Sequence, residues 1–159
     1  MISFKLPHLP FMDPVLKNAG LLADIWNRYF NAIADRLSSA LWVVGSVTLT
    51  GQSASIPATS FSSAVPAGLY RVEYHQRVTQ AASVSSSLIF TVNWTDGGVA
   101  QTYSWAAMTG NTTSTAQSAA TLMHVDTGTV VQYATTYASS GATPMEYRLD
   151  GVLYRVGSL

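Results

Sequence analysis

Two kinds of hydrophobic periodicity divide the chain. Between Leu21 and Trp42, apolar residues recur at spacings of three and four, which predicts an amphipathic helix with one broad apolar stripe. Asp24 and Arg28 lie four positions apart on its polar side, in the stabilising order. The stripe fits equally a helix that packs on its own β domain and one that self-associates. We expect it to anchor or trimerise the chain through Leu22, Trp26, Tyr29, Phe30, Ile33 and Leu37.

The residues before this helix predict an extended arm. Pro7 and Pro10 oppose helix formation in the first part of the arm, where apolar residues are interspersed. Asp13-Pro14 is typical of a helix start, but Gly20 favours a new start near Leu21. An arm of this kind has no core of its own, so we expect it to lie against another surface.

From Gly45 onward the period changes to two, which indicates β-strands. The clearest strand covers residues 68–78, where apolar and polar side chains alternate strictly. One face of this strand carries Tyr70, Val72, Tyr74 and Val78. The other face carries a polar cluster that we expect at a subunit interface: Arg71, Glu73, His75 and Arg77.

Further strands are predicted at residues 88–95, 99–105, 119–125, 129–137 and 145–156, with an edge strand expected within 51–67. Asp96 to Gly98 predicts the turn of a first hairpin, and Asp126 to Gly128 that of a second. Residues 109–118 predict an exposed loop, and Gly151 a bulge or bend in the last strand. Seven to nine short strands with no helix among them indicate an antiparallel β-sandwich.

Charge is scarce in this sandwich. Only 10% of the 159 residues are charged, against about 25% in ordinary domains, and the net charge is zero. Between Val78 and Met145 the only charged residues are Asp96 and Asp126. A domain with so little solvated surface favours contact with copies of itself or with a neighbouring protein, so the composition indicates an assembly component rather than a free enzyme.

The same numbers exclude several partners and chemistries. No basic patch or run is present to attract nucleic acid, and no run of 18 apolar residues predicts membrane insertion. The first residues lack the apolar core of a signal peptide, so we expect synthesis in a cytoplasm. The chain has no cysteine, and His8, His75 and His124 are isolated from other metal ligands. We therefore assign no catalytic residue, metal or cofactor.

Two motifs have an alternative functional interpretation. Val125 to Gly128 matches the aspartic-protease motif, in which two aspartates share a proton, but a hairpin turn is favoured because nothing else supports a protease. Aromatic side chains could line a sugar-binding face, although such residues belong more often to a core or an interface. They are Trp94, Tyr103, Trp105, Tyr133 and Tyr137.

Short segments of the chain resemble known families. Residues 67–72 and 147–153 resemble strands of the trimeric jelly rolls of the C1q and tumour-necrosis-factor type. Residues 95–99 and 134–145 resemble small virion proteins of tailed phages. The segment Phe11 to Pro14, followed by Trp26 to Phe30, is similar to anchoring segments of phage fibre and head-associated proteins. The resemblance implies a homotrimer that is made without secretion and attached to a virion.

The resulting expectation is a jelly-roll β-sandwich at residues 43–159, preceded by an anchoring arm and helix at residues 1–42. The expected function is that of a non-enzymatic phage tail, neck or head fibre, bound to a portal, adaptor, tail or capsid protein. Its loop 109–118 would touch host surface glycans. A capsid decoration (cement) protein is an alternative within this class, and a monomeric carbohydrate-binding module is the alternative from another class.

Overall fold

The computed structural model describes residues 26–33 and 42–157 of the chain. Residues 26–33 form a helix, α1, and all the strands belong to a separate compact unit that begins at Leu41. The predicted helix is therefore confirmed over residues 26–33, whereas Trp42 is wrong as its end because this residue opens the first strand. The remainder of the predicted helix and the arm before it lie outside the described residues.

Nine strands follow in chain order. They are β1 (Trp42–Gln52), β2 (Thr59–Ser60), β3 (Gly68–Gln80), β4 (Ser85–Asp96), β5 (Val99–Ser104), β6 (Met108–Thr109), β7 (Ala116–Val125), β8 (Gln132–Ser140) and β9 (Glu146–Gly157). The predicted edge strand within 51–67 is β2. The predicted loop 109–118 is shorter than expected, because β6 takes its first residue and β7 begins at Ala116.

The strands form two antiparallel sheets packed face to face. Sheet A has the order β1-β9-β3-β7, and sheet B has the order β2-β8-β4-β5, with the short β6 also paired to β4. Successive strands mostly alternate between the two sheets, which is the winding of a jelly roll. The predicted antiparallel jelly-roll sandwich is confirmed.

The core lies between the two sheets and follows from the alternation of apolar residues. On β3 the inward side chains include Tyr70, Val72 and Tyr74, as predicted, and on β4 they include Phe90, whose ring stacks on that of Tyr74 with centroids 4.4 Å apart. Full burial of each such side chain contributes about 1.5–3 kcal/mol relative to exposure. Gln76 shares the inner face of β3 and is fully buried.

The predicted second hairpin is wrong. β7 pairs with β3 in sheet A, whereas β8 pairs with β2 and β4 in sheet B, so the segment between them crosses from one sheet to the other. The crossing is fixed to the backbone of Val65, whose N–H donates to the Thr129 carbonyl at 2.9 Å and whose carbonyl accepts from Gly128 at 2.8 Å. In the sequence, a turn motif between two alternating segments has the same form whether the two strands pair with each other or belong to different sheets.

The predicted bulge at Gly151 is also wrong. Gly151 lies in unbroken register between Val47 of β1 and Tyr74 of β3. A Cβ atom at this position would lie 2.9 Å from Cζ of Phe61 and 3.1 Å from Cγ1 of Val47. Glycine is therefore required because the Phe61 ring approaches the strand closely.

Candidate functional site

The charged side chains of the sandwich are concentrated on one surface. Residues 42–157 contain nine charged residues. Of these nine, Asp96 and Asp126 lie at turns and Arg155 is on the inner phase of β9. The other six alternate with buried residues and so project from the outer face of sheet A: Arg71, Glu73, Arg77, Glu146, Arg148 and Asp150.

The predicted polar cluster lies on this outer face. Arg71 and Glu73 form an ion pair, with Nη2 2.7 Å from Oε1, and both side chains are more than two-fifths exposed. Nδ1 of His75 is 2.7 Å from Oγ of Ser118, so a hydrogen bond joins β3 to β7. An exposed ion pair contributes at most about 1 kcal/mol to stability. The ion pair therefore adds little to the stability of the fold.

Asp150 is the most engaged carboxylate of this face. Nε and Nη2 of Arg148 donate to its two oxygens at 2.7 and 2.8 Å, and Oγ1 of Thr48 donates at 3.0 Å. The hydrogen bonds from Arg148 are the main cause that lowers the pKa of Asp150 below its usual range. The same contact raises the pKa of Arg148. Asp150 thereby ties β1 to β9 on the outer face of sheet A.

A shallow depression of about 490 Å³ lies at the middle of this face. Its polar rim is formed by Arg71, Glu73, His75, Ser118 and Asp150. The row Asp150, His75, Ser118 has the residue types of a catalytic triad, but both Asp150 oxygens are taken by other partners. No carboxylate of the described residues lies within ion-pair distance of His75. The arrangement lacks the third group that would orient the imidazole as a base.

The Asp126 carboxylate is hydrogen-bonded to the turn between β4 and β5. Its two carboxylate oxygens accept hydrogen bonds from the backbone N–H groups of Gly97, at 3.1 Å, and Gly98, at 2.8 Å. Both glycines have positive φ, 59° and 76°, as the two-residue turn between β4 and β5 requires. The geometry therefore favours the turn interpretation of the Asp126 motif. The carboxylate caps the hairpin formed by β4 and β5.

The aromatic residues considered for a sugar-binding face mostly point into the sandwich. Tyr133 is buried, and Trp94, Trp105 and Tyr137 pack against the core. Tyr103 is half exposed, and its ring meets that of Trp105 edge to face at 4.8 Å. They do not form an exposed aromatic platform.

Helix α1 carries the described part of the predicted anchoring stripe. Trp26 stacks on Phe30 with centroids 5.5 Å apart, and Tyr29 meets both rings edge to face at 5.8 Å. Phe30 is 57% exposed, and Ile33 is half-buried. Leu22 and Leu37 lie outside the described residues. The helix therefore presents an aromatic cluster with an open side.

Sequence reasoning missed the contrast between the two outer faces. The outer face of sheet B has no charged side chain in its strands; on β4 it presents Ser85, Ser87, Ile89, Thr91 and Asn93. Short hydroxyl contacts tie this surface together, with Thr91 and Ser104 oxygens 2.8 Å apart and Thr102 donating to Asn93 at 2.8 Å. The alternation of β4 held this information, because the side opposite its apolar residues is uncharged.

Two features are absent from the described residues. Among residues 26–33 and 42–157, no three His, Asp or Glu side chains come together at one point as a metal site would need. The helix found in this part of the chain falls short of the length and apolarity of a membrane span.

Comparison with known proteins assigns the chain to no family. No protein-family model matches the chain. No curated protein matches it either. Among solved structures, the chain is similar to TmCBM61 in complex with beta-1,4-galactotriose, with 16% identity, a TM-score of 0.43, and coverage of 76% of this chain and 77% of that one.

Proposed function

We propose that this chain is a non-enzymatic structural protein of a tailed-phage virion, assembled as a homotrimer and attached through its N-terminal segment. The observation that carries the proposal is the distribution of charge over the sandwich. Charged side chains cluster on the outer face of sheet A, while the strands of sheet B present none on their outer face. In this proposal the protein forms a tail, neck or head fibre.

The charge distribution supports assembly for a physical reason. Soluble domains keep about 25–35% of their surface residues charged, because a neutral surface promotes association. Here the whole chain is 10% charged, and large apolar side chains such as Val99 and Leu122 remain exposed on the sandwich. A protein that works within an assembly has no need of a charged surface where it meets its partners.

The aromatic cluster of α1 supports attachment through the N-terminal segment. Exposed aromatic side chains are the residues that most often supply the energy of a protein interface. Phe30 is exposed and lies beside Trp26 and Tyr29 on one side of the helix. In the proposed fibre, this side contacts a portal, adaptor, tail or capsid protein.

The attachment is tested by mixing purified protein with phage particles that lack it and measuring the bound fraction. A chain beginning at Leu41 should stay folded by circular dichroism but lose binding. Phe30→Ser should weaken binding at least tenfold, while the matched control Asn31→Ser on the polar side should not. Full binding by the shortened chain would show that the anchor is elsewhere. Labelling over the whole capsid would indicate a cement protein.

The depression on sheet A favours a second candidate function, that of a monomeric carbohydrate-binding module. Arg71, Glu73 and His75 offer donors and acceptors for sugar hydroxyls at its rim. The described residues supply no exposed aromatic platform beside them, which makes this the weaker candidate. Tight binding of an oligosaccharide by a monomer, lost in Glu73→Gln, would favour it over the virion protein.

A further inference from the structure

Within the described residues, sheet A ends at the outer edges of two strands. β1 and β7 are its outer strands, and no described strand pairs with their far sides. β1 has eleven residues and β7 has ten, and neither contains lysine, arginine, aspartate, glutamate or proline. β7 follows β3 through ten consecutive pairs without a bulge. β1 has register shifts against β9 between Val43 and Gly45 and between Leu49 and Gln52, and it pairs regularly from Gly45 to Leu49. Natural sheets usually blunt an exposed edge with charge, proline or a bulge, so the β7 edge and the regular stretch of β1 are suited to pairing with another strand.

The two edges match each other in length and direction. Every pairing in sheet A is antiparallel, so β1 and β3 run one way, and β9 and β7 run the other way. When identical sheets stand side by side around an axis parallel to the strands, β7 of one copy is antiparallel to β1 of the next. The added pairing continues the pattern of the sheet, and no strand has to be reversed.

The side chains at the two edges match as well. They are the ends of rows of paired residues that cross the outer face of sheet A from β1 to β7. One row runs Val43, Tyr154, Arg71, Leu122, from the β1 edge to the β7 edge. Its two ends are the exposed apolar side chains Val43, at 62%, and Leu122, at 59%. When corresponding rows of neighbouring copies lie at the same height along the ring axis, Leu122 of one copy lies opposite Val43 of the next. This contact removes both side chains from water.

The next rows repeat the match. The row through Glu73 begins at Ser46 and ends at Ala120, and the row through His75 begins at Thr48 and ends at Ser118. Across the ring junction these rows place two small side chains together and two hydroxyl side chains together. Hydroxyl pairs across strands stabilise a sheet, and no like charges meet at the junction.

We propose that three copies of this chain close sheet A into a ring by pairing β7 of each copy with β1 of the next. This inference rests on the homotrimer of the proposed function and identifies its contact. The occupant of each free edge is the opposite edge of a second copy. The ring leaves no unpaired edge in sheet A and places the polar cluster on the inner wall of the trimer.

The contact is tested with engineered cysteines, because the chain has none of its own. Val43→Cys and Leu122→Cys are introduced together into the full-length protein, which is oxidised and run on a non-reducing gel. Opposite residues of antiparallel strands are close enough for a disulfide. We expect a covalent trimer with the double variant and monomers with either single variant. Ser60→Cys with Thr102→Cys, on the edges of sheet B, is the matched control and should stay monomeric.

The other outcomes overturn the ring. A covalent dimer with Leu122→Cys alone would indicate two β7 strands paired about a two-fold axis, and a ladder beyond the trimer would indicate an open filament. The mass of the unoxidised protein, by light scattering, separates this inference from the proposed function. A trimer that does not crosslink would overturn the edge contact alone, and a monomer would overturn the homotrimer as well.

Charged substitutions give an independent readout that needs no disulfide. Val43→Asp alone should convert the trimer to monomers, because it buries a carboxylate between Tyr154 and the Leu122 of the next copy. Adding Leu122→Lys should restore the trimer by placing an ammonium group opposite that carboxylate. Monomers in the double variant with an unchanged circular dichroism spectrum would contradict the pairing of these two residues.

Discussion

At the residue scale, Asp126 binds two backbone N–H groups of a hairpin formed by other strands. Asp126→Ala leaves both donors without their charged acceptor, so we expect the free energy of unfolding to fall by about 1–3 kcal/mol. Urea denaturation followed by tryptophan fluorescence measures the change. Asp96→Ala, in the hairpin itself, is the control. Equal stability of the two variants would mean that the cap contributes nothing.

Gly151 makes a second residue-scale prediction. A methyl group there meets Phe61 and Val47 inside packed structure, so Gly151→Ala should cost about 1–3 kcal/mol through overpacking. Gly157→Ala is the matched control on the same strand, because a Cβ at Gly157 has no neighbour within 4 Å. Thermal unfolding followed by circular dichroism compares the two. A control variant that loses as much stability would exclude the clash with Phe61 as the cause.

Tyr74 makes stability depend on pH in the alkaline range. Burial is the main cause that raises its pKa from 10.0 to about 12, and its hydroxyl has no hydrogen-bond partner. The folded state resists ionisation of this group, so its contribution is complete below pH 10 and is lost as the pH rises from 10 toward 12. In Tyr74→Phe we expect stability near pH 7 to be kept and the alkaline loss to be smaller. Urea denaturation at pH 8, 10 and 11.5 tests this, and an equally steep loss in both proteins would contradict it.

At the element scale, Asp150 of β9 accepts a hydrogen bond from Thr48 of β1 and is held by Arg148 of its own strand. Its pKa is lowered in the folded state, so its contribution is present above the ordinary value of 3.8 and is lost as the pH falls through the folded pKa. Asp150→Asn should be less stable at pH 7 and should lose less stability on acidification.

The measurement for Asp150 is chemical denaturation between pH 7 and pH 2. Glu73→Gln is the matched control: like Asp150, Glu73 has an arginine partner on its own strand, but both side chains of its ion pair are exposed. If Glu73→Gln flattens the acid dependence as much as Asp150→Asn, the hydrogen-bonded Asp150 carboxylate is not the source of the effect.

The sequence predicted the phase of the strands better than their partners. The alternation in β3 sets which side chains face the core, and for Tyr70 and Arg71 a local pattern is sufficient. Partner choice depends on residues far apart in the chain, so the sequence did not reveal that β7 and β8 belong to different sheets. The reason for glycine at position 151 was not predictable either, because its close neighbour Phe61 is ninety positions away in the chain.

The candidate site was predictable to the same extent. The polar cluster followed from the alternation of a single strand. The depression needed Ser118 and Asp150 from the neighbouring strands, and the two free edges needed the full strand order. None of these is a local property. Helix α1 was predictable as a helix, but the periodicity of its apolar stripe does not specify what the stripe contacts.

At the scale of the whole molecule, the proposed ring junction carries no charge. Salt screens interactions between charges but not apolar or backbone contacts. We therefore expect the trimer mass measured by light scattering to stay unchanged between about 0.05 M and about 1 M sodium chloride. Dissociation at the higher concentration would instead assign the contact to charged groups such as Arg71 and Glu73.

The position of β9 has a consequence for synthesis. β9 is the last of the nine strands, yet it lies between β1 and β3 in the interior of sheet A. While the ribosome is still translating the preceding segment, every described strand of sheet B has been made, but β9, the described strand that pairs with β1, has not. Contacts between distant parts of a chain form slowly and leave strands exposed in the interval. The nascent chain therefore exposes β1 before its own β9 can pair with it. Other chains being translated from the same messenger RNA can then compete with β9 for pairing with β1.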